Sequence, residues 1–179
     1  MRHLVRRLDD GVESLLDRWR GHPVVDRVFY GASALGDHSL IWLIFGTLRG
    51  LRAERHWAAA LRVGAGMGIE SAVVNLGIKS LFGRTRPAPE TSRPLPLRQP
   101  KTSSFPSGHA TSAFTAAGLL SDDDPLWPLY YAAAAMVSTS RVYVRIHHAS
   151  DVLAGVAVGV LLGRIGRRLV PLPARLGSQ

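Results

Sequence analysis

Apolar residues in this 179-residue chain are gathered into stretches nearly free of charge, with arginines crowded at the junctions between them. Such segregation favours helices that live in a membrane over the amphipathic helices of a water-soluble domain. The stretches run from about residue 33 to 48, 57 to 82, 109 to 120, 126 to 144 and 149 to 162. A helix crossing a bilayer takes about 20 residues, so the shorter stretches must borrow flanking turns or stand behind other helices. Ahead of them, Leu4, Leu8, Val12, Leu15, Leu16 and Trp19 recur at helical spacing among arginines. This fits an amphipathic helix within residues 1–30, lying either on the membrane surface or against the rest of the protein. The expectation is an all-α, polytopic membrane bundle of about five to six helices, one domain over residues 1–179, led by that amphipathic segment.

Lysine and arginine number 22 against 13 acidic residues, a net charge of +9. The excess points to an anionic partner: nucleic acid, lipid head groups or a phosphorylated substrate. Nucleic acid is disfavoured because the arginines flank apolar spans instead of lining a solvent-exposed basic and aromatic surface. With no cysteine, disulfides and thiolate nucleophiles or metal sites are excluded. No secretory signal peptide is expected, since Arg2, Arg6, Arg7, Asp9 and Asp10 interrupt any apolar run near the start.

Three groups of chemistry-bearing residues follow in order: Lys79-(x6)-Arg86-Pro87, then Pro106-Ser107-Gly108-His109, then Ser140-Arg141-(x5)-His147-(x3)-Asp151. On the map of spans, the first lies where the second stretch leaves the membrane and the second where the third stretch enters it. The last joins the fourth stretch to the fifth, so all three can face one side. Lys79, Arg86 and Arg141 suit the charge spread over the oxygens of a transferring phosphoryl group. Ser107 and Gly108 precede a predicted helix start, where free N–H groups and the helix dipole favour an anion. Pro-Ser-Gly-His by itself reads equally as an ordinary helix cap. His147 and Asp151 share a face if helical, so the carboxylate can hold the imidazole while its other nitrogen attacks. His109 is then free to protonate the departing oxygen. The rival is a metal site using His109, His147, His148 and Asp151, which the three neighbouring cations disfavour. The inventory needs no cofactor and suits metal-independent phosphate chemistry.

With their spacings, these motifs resemble the type 2 phosphatidic acid phosphatase (PAP2) superfamily, which also includes bacterial acid phosphatases and vanadium haloperoxidases. The resemblance covers Lys79 to Asp151. It implies a helical bundle and a phosphohistidine intermediate on His147, supported by Asp151. It makes His109 the general acid and Lys79, Arg86, Ser107, Gly108 and Arg141 the phosphate-binding set, with no metal. In the family's membrane branch the substrate is a lipid phosphate: phosphatidate, phosphatidylglycerophosphate or a polyprenyl phosphate, here with polyprenyl phosphates favoured. An integral protein of the bacterial inner membrane, surrounded by membrane lipids, is the implied setting. Two departures stand out. Ala149 takes a position where proline is common, and five spans plus an amphipathic segment replace the usual six. Lipid phosphotransfer through the same intermediate, haloperoxidation, and non-catalytic lipid-phosphate binding or transport are the alternatives. Oligomeric state is not legible.

Gly155, Gly159 and Gly163 fall every fourth residue, as do Gly64 and Gly68, and both sets are assigned to helix packing. Glu70 and Asn75 are polar residues inside a span, either functional or bonded between helices. Ser71, Asn75 and Lys79 form a helical row. Asp37 and His38 read better as a cap and an interfacial residue than as part of the pocket. Arg84, Arg93, Arg98 and Lys101 fall in an aperiodic loop over 83–105, where they either guide an anionic head group or are simply solvated, and are set outside the catalytic group. Arginine tallies do not choose a side: Arg49, Arg52, Arg55, Arg164, Arg167 and Arg168 oppose the basic N-terminus and loop.

Overall fold

The computed structural model describes residues 2–88, 97, 100 and 102–173, among which there are seven α-helices and no strand. They are α1 (Arg2–Asp17), α2 (Pro23–Leu35), α3 (Leu40–Arg52), α4 (Trp57–Ala72), α5 (Gly108–Leu120), α6 (Trp127–Tyr143) and α7 (Ala149–Leu169). Every charge-poor stretch became helix.

The first stretch is not one span. Pro23 opens α2, where a missing N–H and a fixed φ suit the first turn, and α2 and α3 meet at 67°. His38 and Ser39 lie between them at φ 54° and 60°. Two consecutive left-handed residues cannot continue a right-handed helix, so the expected helix from 33 to 48 is broken into a corner. In contrast, α4 runs on through a π-helical segment, Val73–Gly77, and a 3-10 turn, Ile78–Leu81. The backbone therefore stays helical almost to the expected residue 82.

At 13 residues α5 is about 20 Å long, and α3, α4, α6 and α7 pack around it. Its alanines, threonines and Gly118 are buried on nearly every side. The closest neighbour is α7. A Cβ added to Gly155 would stand 2.6 Å from the Ser107 carbonyl, one on Gly159 2.5 Å from the Thr111 carbonyl, and one on Gly163 3.2 Å from that of Thr115. Packing through these three glycines is as expected. Gly64 and Gly68 are not packing positions in this chain, since a Cβ added to either would meet nothing within 4 Å. It is Gly66, on another side of α4, that meets α5, at Leu119.

Arginines close the far end of the bundle. Arg49 donates to the carbonyls of Leu120 (2.6 Å) and Asp122 (2.7 Å) and pairs with Asp124, while Arg62 donates to the Leu119 carbonyl (2.7 Å) and the Asp122 carboxylate (2.8 Å). Both are buried. Cations satisfying the last carbonyls of a helix also match its dipole, so Arg49, one of the arginines in that tally, is internal structure. Among the described residues, α7 alone suffices by length and composition to cross a membrane, and α2 with α3 would do so as one bent pair.

Gly159→Ala is expected to destabilise the fold by about 1–3 kcal/mol, the usual penalty for overpacking. Gly64→Ala should be neutral or gain up to about 1 kcal/mol of helix propensity. Thermal unfolding of the two variants in one detergent checks the opposite signs.

Candidate active site

His148 caps α7 and Asp151 is its third residue, so the Asp151 carboxylate reaches back to accept the His148 N–H at 3.0 Å. Ala149, at the first helical position, is where proline is also welcome, and the departure noted there leaves the helix start intact. Before the cap, the N–H groups of Ile146 and His147 both donate to the Arg141 carbonyl at 3.1 Å. His147 is thereby held at the mouth of α7, outside any helix, with its side chain 2% exposed. Its Nδ1 faces Asp151 Oδ2 across 3.7 Å, longer than a hydrogen bond. Arg86 Nη1 lies 3.2 Å from its Nε2. A guanidinium can only donate, so Nε2 carries the lone pair and the ring proton sits on Nδ1, toward the carboxylate.

The motif beginning at Lys79 arrives from two directions. Asn75 accepts from Lys79 Nζ at 3.1 Å and donates to Ser71 Oγ at 3.1 Å, so the row read from sequence is formed, bridging the π-helical segment. Lys79 Nζ lies 3.2 Å from where a Cβ on Gly108 would be; glycine is what lets the ammonium reach the start of α5. Arg86 is pinned by the carbonyls of Ile146 (3.0 Å), Thr102 (3.1 Å) and Ser103 (3.2 Å), while its Nε is buried without a hydrogen-bond partner. A cleft of about 440 Å³ lined by residues 82–86, Pro100, Thr102 and Ser103 opens beside it. A larger one, about 690 Å³, lies among Asp122, Arg164, Arg167 and Arg168 and contains no motif residue.

Ser107 caps α5, its Oγ accepting from the Ala110 N–H at 3.4 Å. One expectation is corrected here: the Ser107 N–H is not free for an anion, because it donates to the Asp151 carbonyl at 3.0 Å. Only the first-turn amides of Gly108 and His109 can serve in that way, since those of Ala110 and Thr111 donate to Ser107. Arg141, 1% exposed in the last turn of α6, hydrogen-bonds Ser33 Oγ on α2. Its charge and that of Lys79 act on His109, and Arg86 and Arg141 act on both Lys79 and His147. The eight residues singled out from sequence are thus brought to one place. No group of three or more His, Asp or Glu side chains among the described residues is placed to hold a metal.

Sequence reasoning missed two members. Asp37 is neither a cap nor remote: its Oδ1 is 2.8 Å from His109 Nε2. Arg84 is no solvated loop residue, since Nη1 donates to Asp151 Oδ1 at 2.6 Å and Nη2 to Asp9 Oδ2 at 2.8 Å. In an extended segment alternate residues share a side, which was the available signal for Arg84 beside Arg86. Glu70 takes the structural option, accepting from Ser112 Oγ at 2.7 Å between α4 and α5. Arg93, Arg98 and Lys101 lie outside the described residues.

Burial pulls the His147 imidazole down to about pKa 4; the Asp151 carboxylate opposes this, and the charges of Arg86 and Arg141 add to it. His147 is therefore neutral throughout the range in which an ordinary histidine, pKa about 6.5, titrates. On acidification the unfolded chain takes up this proton first, so stability falls between about pH 6.5 and 4. A ring-nitrogen NMR titration in micelles should show His147 unprotonated down to about pH 5. Titration near 6.5 would contradict the burial argument.

The model of the PAP2 superfamily matches residues 59–173. Over 138 residues the chain is 37% identical to decaprenylphosphoryl-5-phosphoribose phosphatase of Mycobacterium tuberculosis, covering 75% of each protein. Its fold resembles that of Aquifex aeolicus LpxE, with TM-score 0.64, 25% identity and 93% of both chains covered. It also resembles the transmembrane PAP2 type phosphatidylglycerolphosphate phosphatase from Bacillus subtilis, with TM-score 0.68, 23% identity and 97% and 90% covered. The chain belongs to the PAP2 superfamily and is a phosphatase of that type.

Proposed function

We propose that this protein hydrolyses lipid phosphates, polyprenyl phosphates foremost, without a metal ion and through a phosphohistidine on His147. The observation that carries the reading is the setting of His147 Nε2: a lone pair at a buried ring nitrogen, beside the phosphate-binding guanidinium of Arg86, with a carboxylate behind Nδ1. Lys79, Arg86, Arg141 and the first-turn amides at Gly108 hold the phosphate oxygens, with Ser107 shaping that turn. Nε2 attacks phosphorus as the bond to the lipid oxygen breaks, and Asp151 stabilises the charge then carried by the ring. His109 gives its proton to the leaving oxygen. Since Nε2 of His109 is engaged by Asp37, the proton passes from Nδ1 and Asp37 steadies the imidazolium. Water next attacks phosphorus, returning a proton to His109 and freeing Nε2 of His147.

The lipid class is supported by the identity to the mycobacterial decaprenylphosphoryl-5-phosphoribose phosphatase over most of both chains. A setting in the bacterial inner membrane is supported by α7, long and apolar enough to cross, and by the fold shared with the transmembrane Bacillus enzyme. A membrane-surface position for the N-terminal segment is supported by the exposure of Leu4, Leu8, Leu15 and Trp19, while Val12 and Leu16 pack inward.

Phosphate release by the detergent-purified protein, in EDTA, is the direct test. The substrates are polyprenyl phosphates and diphosphates, phosphatidate and phosphatidylglycerophosphate. Turnover is expected to survive EDTA, to vanish in His147→Ala and to be fastest on polyprenyl substrates. Binding without turnover would sink the hydrolase reading. His109→Ala should slow a prenyl phosphate by about 10²–10⁴-fold, the usual worth of a general acid. An aryl phosphate with an acidic leaving group should suffer far less, and Asp37→Asn should follow the same selectivity more weakly. Equal losses on both substrates would remove His109 from the acid role.

A further inference from the structure

Asp9 stands on α1, a helix with most of its surface exposed, yet it is 8% exposed and all its acceptors are in use. Oδ1 accepts from the Ser150 N–H at 2.8 Å, and Oδ2 accepts from Ser150 Oγ at 2.9 Å and from Arg84 Nη2 at 2.8 Å. The other prong of the same guanidinium, Nη1, donates to Ser150 Oγ at 2.8 Å and to Asp151 Oδ1 at 2.6 Å. One planar fork therefore joins a carboxylate from the N-terminal helix to the carboxylate behind His147. Two charged hydrogen bonds to a fixed fork set direction as well as distance.

We propose that Asp9 is a positioning residue for the Asp151–His147 pair, acting through Arg84. It has two effects. With Arg84 and Ser150 held by Asp9, Asp151 Oδ1 is committed to Arg84 and Oδ2 to the helix cap, which leaves Oδ2 aimed at Nδ1. Asp9 also shares the charge of Arg84. Without it, the guanidinium would bear on Asp151 alone and compete with the cationic, phosphorylated ring for that carboxylate. The N-terminal helix, which lies outside the three motifs, thus becomes part of the machinery that holds the nucleophile.

The remaining ties of α1 allow this role to be separated from simple docking. Glu13 pairs with Arg20 and Arg145, each at 2.8 Å, and touches neither Arg84 nor Asp151. The inference rests on the phosphatase reading above, so the full-length wild type, His147→Ala, Asp9→Asn, Asp9→Glu and Glu13→Gln should be compared on farnesyl monophosphate in micelles. Asp9→Asn is expected to lose about tenfold in kcat with KM within about twofold, because the phosphate-binding cations are untouched. Asp9→Glu should recover at least half the loss, and Glu13→Gln should stay within about twofold of wild type. Backbone hydrogen exchange over residues 147–151 should quicken in Asp9→Asn and not in Glu13→Gln. Asp9→Asn with wild-type kcat, or Glu13→Gln falling as far, overturns the proposal. If the wild type itself releases no phosphate, the phosphatase reading fails, and the exchange comparison alone then decides whether Asp9 holds the loop: unchanged protection overturns it.

Discussion

The backbones of α5 and α7 approach so closely that no side chain fits between them at Gly155, Gly159 and Gly163. Everything at the site depends on this contact. It sets the first turns of the two helices side by side, and the Ser107 N–H then reaches the Asp151 carbonyl at 3.0 Å. The loop carrying Ser107 and Gly108 and the loop carrying His147 are joined before any substrate is considered. Gly155 also lies directly against the Ser107 carbonyl, so a residue that contributes no functional group still shapes the first turn of α5. At the opposite end, Arg49 and Arg62 hold the last carbonyls of α5, which fixes the helix along its axis. Lys79, Arg84 and Arg86 are then brought onto this rigid pair by the long helix α4 and the extended segment after it.

Each histidine is backed by one carboxylate, but on opposite ring nitrogens. Asp151 faces Nδ1 of His147 and Asp37 is bonded to Nε2 of His109. The ring nitrogen without a carboxylate is thus Nε2 in His147 and Nδ1 in His109. Their surroundings differ as well. Arg86 rests on the lone pair of His147, whereas His109 has a direct carboxylate contact. Two similar groups set apart by their neighbours are the usual basis for dividing nucleophile and acid roles.

How far the site was legible depended on sequence distance. Lys79, Arg86, Ser107, Gly108, His109, Arg141, His147 and Asp151 fall in short motifs whose residue types already match phosphate chemistry, and charge segregation marked every helix that carries them. Asp37, Arg84 and Asp9 were not read, because each acts through a partner 67 to 75 residues away. No local period encodes such pairings. The corner at His38 and Ser39 was hidden for a related reason: neither residue is glycine, and a left-handed conformation there leaves no mark in composition. Gly64 and Gly68 misled in the other direction, since fourfold spacing shows that a face is bare without showing that anything covers it.

The bond from Asp9 to Ser150 links residues 141 positions apart. A chain made from its N-terminus has α1 to α6 and both loops in hand before the start of α7 appears. Until then Arg84 has no second carboxylate and the Ser107 amide no carbonyl from α7. Competence for chemistry therefore arises at one late moment of assembly and all together, when the last helix docks. An unfinished chain would hold Lys79, Arg86 and Arg141 without the carboxylate that faces His147.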